Sequence, residues 1–464
     1  MTPERRRLHR AAILAEGLGQ LRALALPLIV ATFAGGGVSM AVWLAPIGAV
    51  VALIGAFVIW RNTAWWVDGS SIRLESGVWT TKQVSVPIDR VQAIDTVRGP
   101  AQRLLGAVEV HVQTAGGGAR GEIVLRAVAP SVAEELRGLV RGSSPSAPAA
   151  PSAPGPSWTL GRRGLLVAAL TSGSLGVLVP IVAGASQVLD DVLGPEDAER
   201  LLPDTPQEWL MAAVAVLVIA WLLSVLGTIV AFAGFSVTRD GDRLRIRRGI
   251  VERREASVPI ARVAALRVVE SPLREPFGLA QVRLESAGYA NEPATAQALL
   301  PLVRRRDVVA VVERLLPELA ESEPTPLAAP PRRALRRYVV PPTATAALVP
   351  LVLVPFLGAQ ALAALALPLA AAAYGVLAYR AAGWSLDADR LVLRRRGLQR
   401  TTLVADARRL PELFARTSPL QRRAGLATLG VAVSSGRRVA VRHLEAPATG
   451  DLLRRLATAA TAPR

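Results

Sequence analysis

The chain has no cysteine, so disulfides and thiolate metal ligation are excluded at the outset. Histidine is nearly as scarce: His9, His111 and His443 lie in separate segments, with no second imidazole at ligand spacing. A Walker loop, a zinc pattern and a nucleophile elbow are all missing, which leaves an enzyme without its usual machinery. Aromatic residues make up 4% of the chain and are absent from the basic runs, so the stacking surface that single-stranded nucleic acid needs is not there. The expectation is a protein that is not an enzyme and has no cofactor, no metal and no nucleic-acid partner. Charged residues are only 19% against 51% hydrophobic, a balance that fits an integral membrane protein with sizeable soluble parts.

Charge is wholly missing from six long stretches. Ala23–Met40, Ala41–Trp60, Gly164–Leu189, Trp209–Phe235, Tyr338–Leu357 and Gly358–Tyr379 contain no Asp, Glu, Lys or Arg. Each approaches the about 20 apolar residues that carry a helix across a hydrocarbon core about 30 Å thick. They come as adjacent pairs, so six transmembrane helices in three hairpins are expected. A cleaved signal peptide is not, because Pro46 and the second run follow the first with no small-residue cleavage site. Arginine placement gives the orientation. Arg5, Arg6, Arg7, Arg10, Arg162, Arg163, Arg332, Arg333, Arg336 and Arg337 precede the pairs, and Arg61 and Arg380 follow two of them. The stretch 190–208 is acidic apart from Arg200 and suits the outer side. By the positive-inside rule, both termini and the soluble domains face the cytoplasm.

What the chain does have is a motif used three times. Val86-Pro87-Ile88-Asp89-Arg90-Val91-Gln92 is followed by Pro100 to Gly106, Val258-Pro259-Ile260-Ala261-Arg262-Val263 by Pro272 to Gly278, and Ala405-Asp406-Ala407-Arg408-Arg409-Leu410 by Pro419 to Gly425. From Pro87, Pro259 or Asp406 to the second proline is 13 positions in every copy, and from that proline to the glycine is 6. Arg90, Arg262 and Arg409 fall in register. Spacing kept this strictly marks one structural unit repeated. Most of these residues read as structural. Pro87 and Pro259 end a strand or mark an edge. Pro100, Pro272 and Pro419 open a short helical turn, and Gly106, Gly278 and Gly425 re-enter a strand with positive φ. The arginines suit either carbonyl capping or a phosphate.

Around each motif the periodicity is two. Ser71-Ile72-Arg73-Leu74-Glu75, Val108-Glu109-Val110-His111-Val112 and Arg243-Leu244-Arg245-Ile246-Arg247 alternate apolar with polar, as half-buried strands do. Turn signals such as Asp68-Gly69 and Asp240-Gly241 separate them. Each unit then closes in a helix, the first opened by the capping-box pattern Ser131 to Glu134. The boundaries that follow are 1–60 (basic N-terminus and first hairpin), 61–142 (first β domain), 143–163 (Pro/Ala/Ser linker), 164–235 (second hairpin), 236–317 (second β domain), 318–337 (linker), 338–379 (third hairpin) and 380–464 (third β domain).

With Trp65 and Trp66 leading out of the membrane, the strand pair Ile72–Val78 and the Pro-Ile-x-Arg and Pro–Gly segments, the chain resembles the bacterial pleckstrin-homology (PH) membrane proteins of the second type. Phe235, Gly249 and Pro259 carry the likeness in the second copy, and Trp384, Gly397 and Arg409 in the third. The resemblance implies an α+β protein of the bacterial cell membrane, in which three PH-like antiparallel β-sandwich or barrel domains, each closed by a C-terminal helix, alternate with the hairpins. The function it implies is a non-enzymatic scaffold that contacts a protein partner or associates with itself through the PH-like domains. Membrane lipids are the second partner. Arg243, Arg245, Arg247 and Arg248, with Arg394, Arg395 and Arg396, are the candidates for anionic headgroup contact. The alternative is an accessory component of a transport or export system.

Overall fold

The computed structural model describes residues 5–20, 37–77, 80–114, 123–142, 155–171, 205–286, 298–319, 326–357, 364–387, 389–433 and 437–461. They form two compact units, Met1–Pro259 and Ile260–Arg464. The boundary falls inside the second copy of the motif, between its proline and its isoleucine.

The first unit holds two sheets. One has the order β1 (Arg6–Arg7), β2 (Thr63–Asp68), β3 (Ser71–Ser76), β4 (Lys82–Pro87). The other contains β5 (Val91–Arg98), β6 (Val108–Thr114), β7 (Ile123–Val128), β8 (Ser157–Thr159), β9 (Ser236–Asp240), β10 (Arg243–Arg248) and β11 (Arg253–Pro259), in the order β7-β6-β5-β11-β10-β9-β8. The alternation read from the sequence is what sorts the two faces. Val108, Val110 and Val112 are buried, while Glu109 and His111 pair with each other at 3.0 Å on the opposite face. Trp65, Ile72 and Val86 of the first sheet, Ile88 just beyond it, and Ile94, Val110, Val112, Ile123 and Leu125 of the second build one core, which Ala133, Leu136 and Val140 of the closing helix Pro130–Gly142 cover.

The second unit repeats the plan. Strands β12 (Val263–Glu270), β13 (Leu279–Ser286), β14 (Ala298–Arg304), β15 (Gly383–Asp387), β16 (Arg390–Arg396) and β17 (Arg400–Asp406) form a sheet of order β14-β13-β12-β17-β16-β15. A separate sheet contains β18 (Glu412–Arg416), β19 (Leu426–Ala432) and β20 (Arg438–Glu445). Leu391, Leu393, Leu403 and Ala405 pack with Leu429, Val431, Val439 and Val441.

The two large sheets therefore mix copies. The strands that follow the motif in one copy pair, antiparallel, with the strands that precede it in the next: β5 with β11, and β12 with β17. Ala265, from the second copy, sits in the core of the third.

The helices correct the six-span expectation. Among the described residues, only Gln207–Phe232 is long and apolar enough to cross a membrane. Ala23–Met40 lies outside the described residues except for 37–40, which are absorbed into α1 (Gly37–Arg61). Within α1, the apolar stretch Ala45–Arg61 is shorter than a span. The run Gly164–Leu189 is described only to residue 171, as α2 (Arg162–Leu170), and most of the acidic stretch 190–208 also lies outside. Tyr338–Leu357 falls within α4 (Leu335–Leu357), which opens on Arg336 and Arg337 and carries Pro341, Pro342, Thr343 and Thr345. Gly358–Tyr379 becomes α5 (Ala366–Ala381), only 16 residues, with 358–363 undescribed. An uncharged run counts as a span by composition, whereas crossing requires an unbroken apolar helix. The helix that qualifies, α3 (Pro206–Phe232), starts at a Thr205 cap that accepts a hydrogen bond from Glu208 N. Its surface is apolar and outward-facing: Leu210 is 65% and Met211 68% exposed, which suits lipid rather than water.

Candidate functional site

The repeated motif folds the same way three times. Pro87, Pro259 and Asp406 are the last residues of β4, β11 and β17, and each is followed by one 3-10 turn: Ile88–Arg90, Ile260–Arg262 and Ala407–Arg409. The turn buries its first side chain, Ile88, Ile260 or Ala407. Proline presets the extended φ of −60° at Pro87. Asp406 lacks that restraint and holds the turn instead by accepting a hydrogen bond from Arg408 N at 3.0 Å. The third copy thus replaces a stiff residue with a cap.

Thirteen residues on, Pro100 and Pro419 occupy the first turn of short helices, and Pro272 opens a series of turns. Gly106, Gly278 and Gly425 have φ of 66°, 61° and 64°, the left-handed region that glycine enters without steric cost. Between proline and glycine lies a position that the spacing alone did not single out. Gln102, Arg274 and Gln421 are equivalent, polar, and at most 7% exposed. Gln421 donates to Thr428 Oγ1 at 2.9 Å, lies 3.0 Å from His443 Nδ1, and its Oε1 accepts from Ser418 N. Arg274 donates to the Pro301 carbonyl, and burial pulls its guanidinium down to about 10. The signal was a polar residue two positions after the proline in each copy.

The motif arginines divide. Arg409 reaches three main-chain carbonyls of the preceding copy, Ile260, Ala261 and Val263, at 3.5, 3.2 and 3.1 Å. Arg90 is exposed and makes no hydrogen bond or ion pair among the described residues. Arg262 is half-buried.

The two seams between copies concentrate the polar chemistry. At the first, Arg253, Arg254 and Glu255 lie opposite Arg98, Val97 and Thr96. Buried Asp95 extends this pairing by accepting from Ser257 N at 3.1 Å and from Gln113 Nε2 at 3.0 Å. Arg103 donates to the Ile250 carbonyl. At the second seam the register runs from Ala265↔Ala405 to Glu270↔Arg400. Glu270, 1% exposed, meets Arg400 and, at 3.2 Å, Arg305, while Glu275 meets Arg396 and, at 3.2 Å, Arg400. Burial pushes the Glu270 carboxyl up, and Arg400 opposes the shift. Nearby, Arg267 pairs with fully buried Glu285. Burial lowers the Arg267 guanidinium, with Glu285 working against it.

The seven headgroup candidates lie on β10 and β16, where most are engaged. Arg245 pairs with Asp240 at 3.1 Å and Glu255 at 3.5 Å, and Arg247 pairs with Glu255 at 3.3 Å. Arg248 is buried. Arg394 donates to the Ala381 carbonyl at 2.9 Å, and Arg396 joins Glu275. Arg243, half-buried, and Arg395, exposed, have no ion pair among the described residues. The cleft that Arg243 and Arg245 share with Ile94, Arg137 and Glu255 has a volume of about 20 Å³, room for roughly one water.

Half-sheets paired between copies, a helix closing the first copy's core, and an outward-facing apolar helix of spanning length among the described residues define a membrane-associated protein built from repeated β modules. The chain belongs to the bacterial PH domain family, whose model matches residues 18–143, 178–319 and 344–460. It is also similar to the UPF0699 transmembrane protein YdbT of Bacillus subtilis (strain 168), 27% identical over 419 residues that cover 82% of each chain. No solved structure matches it.

Proposed function

We propose that this membrane-associated PH-domain protein is a non-enzymatic scaffold, whose repeats offer an interaction surface to protein partners at the cytoplasmic face. The observation that supports this most is the pair of seams. Strands of one copy already recognise strands of the next by edge pairing, the way an extended partner joins an exposed sheet. Arg245, Arg247, Arg394 and Arg396 are engaged within the fold, which favours protein contact over headgroup contact along β10 and β16. Arg243 and Arg395 stay available to anionic lipid, at about 1 kcal/mol each. Arg61 at the end of α1 and Arg336 and Arg337 at the start of α4 support the cytoplasmic orientation.

Photoreactive residues placed at Gln83, Arg395 and Arg416 of the full chain in native membranes test the reading. Protein adducts are expected at positions 83 and 416, and lipid adducts at 395. Lipid adducts alone at all three positions would overturn the scaffold.

A further inference from the structure

The seam pattern has a third pairing that is not formed among the described residues. In every copy, the strand before the motif belongs to one sheet and the strands after it to another. The post-motif strand of copy one pairs with the pre-motif strand of copy two, and that of copy two with that of copy three. This leaves β4, the pre-motif strand of copy one, and β18, the post-motif strand of copy three. Each is the last strand of its sheet, with a neighbour on one side only among the described residues. Lys82, Gln83 and Ser85 on β4, and Glu412, Ala415 and Arg416 on β18, are exposed. Their seam counterpart β12 is buried along most of its length.

We propose that these two edges pair with each other between two copies of this chain, β18 of one against β4 of the next, head to tail. The inference deepens the scaffold reading by naming the partner, and it rests on that reading.

The register can be stated in advance. Carried over by the spacing of the motif, Ala265↔Ala405 of the second seam becomes Glu412↔Val86. Arg253↔Arg98 of the first seam becomes Thr81↔Thr417. These are the two ends of a single antiparallel alignment, so registers formed independently at two seams converge on the same pairing. It places Phe414 opposite Val84, an aromatic beside a β-branched residue, and Gln83 opposite Ala415. Pro87 falls just outside the paired stretch, as Asp406 does at the second seam, so its missing amide costs no ladder bond.

A second observation does not depend on strand register. Arg409 clasps the carbonyls of Ile260, Ala261 and Val263 across the second seam. Its counterpart Arg90 stands exposed beside β4 with no partner among the described residues. In the head-to-tail pair it meets the equivalent carbonyls of Ala407, Arg408 and Leu410 in the neighbouring chain. The weak point is Lys82 opposite Arg416, since like charges directly across a ladder repel. An interface between two different surfaces of one molecule closes into a ring or runs on as a chain.

The absence of native cysteine makes the test clean. Two differently tagged full-length chains, one Gln83→Cys and one Ala415→Cys, are co-expressed and oxidised in the membrane. A disulfide between the two tags is expected, with at least a several-fold lower yield when Thr417→Cys replaces Ala415→Cys. Arg90→Ala should lower the yield, and Lys82→Glu, which turns repulsion into attraction, should raise it. The proposal is overturned if the yield does not exceed that of the shifted control. It is equally overturned if a chain carrying both substitutions crosslinks only within itself, or if position 83 or 415 is captured by a different polypeptide. Loss of the disulfide with protein photo-adducts retained at positions 83 and 416 removes self-pairing and leaves the scaffold standing. Loss of both removes both.

Discussion

Glu270 is the carboxylate on which the second seam turns. It is 1% exposed and held by Arg400 and Arg305. Removing the nearer guanidinium, as in Arg400→Met, leaves a buried acceptor with only one remaining cation. The expected loss is about 1–3 kcal/mol of stability, read as a lower denaturation midpoint together with faster amide exchange in β12 and β17. His443 makes a different prediction. It has a φ of 61°, unusual outside glycine, and packs edge-on against Tyr338 at 5.1 Å. Burial first, and then Arg442 and Arg337, lower its imidazole from 6.5 to about 4. The unfolded chain therefore binds a proton here at a higher pH than the folded one. Stability attached to this group is complete above pH about 6.5 and declines as pH falls towards about 4. His443→Asn keeps a residue that tolerates positive φ and removes the titration. Thermal melts between pH 4 and 7 should therefore be flatter for the variant than for the parent chain.

Among elements, the 3-10 turn after each pre-motif strand is held by two different devices. Pro87 fixes the backbone, and Asp406 caps it. Asp406→Ala leaves neither device, and about 1 kcal/mol should be lost. Asp406→Pro should recover most of it, provided the preceding Ala405 keeps its extended pairing with Leu391. Denaturant midpoints of the two variants decide the point. Much of this layer was legible in the sequence: the spacing located the turn, the short helix at Pro100 and Pro419, and the glycines of positive φ. Alternation correctly separated the faces of Val108–Val112. It could not name the neighbouring strand, because period two specifies which side is buried and says nothing about which partner lies alongside. That is why the exchange of strands between copies, and the Arg400–Glu270 pair 130 residues apart, were invisible. The membrane runs divided: among the described residues Trp209–Phe235 becomes an apolar helix of spanning length, and the others described there do not. Absence of charge does not report helix breakers: Tyr338–Leu357 is uncharged, yet its first eight residues include Pro341, Pro342, Thr343 and Thr345.

For the whole molecule, sheet topology constrains how the first unit meets the bilayer. Thr159 of β8 lies opposite Ser236 of β9, so the chain leaves the sheet before α3 and rejoins it afterwards at the same place. We expect strands on either side of the apolar helix to lie on one face of the membrane, because they belong to one sheet. Cysteines introduced singly at Ser131 and Asp242, both exposed, should react with an impermeant maleimide from the same side. Opposite sidedness would contradict the shared sheet.

The pairing of β5 with β11 also bears on how the protein is made. Arg98 waits for Arg253, about 150 residues later in the chain, so at about 5–20 residues per second the ribosome needs roughly 8–30 s to deliver the partner. Through that interval the first copy emerges as an incomplete sandwich with a bare hydrogen-bonding rim, the state in which nascent β chains tend to stick to one another. Completion of the first unit therefore waits on synthesis of β11, because a nascent chain that ends before it lacks the strand that covers β5.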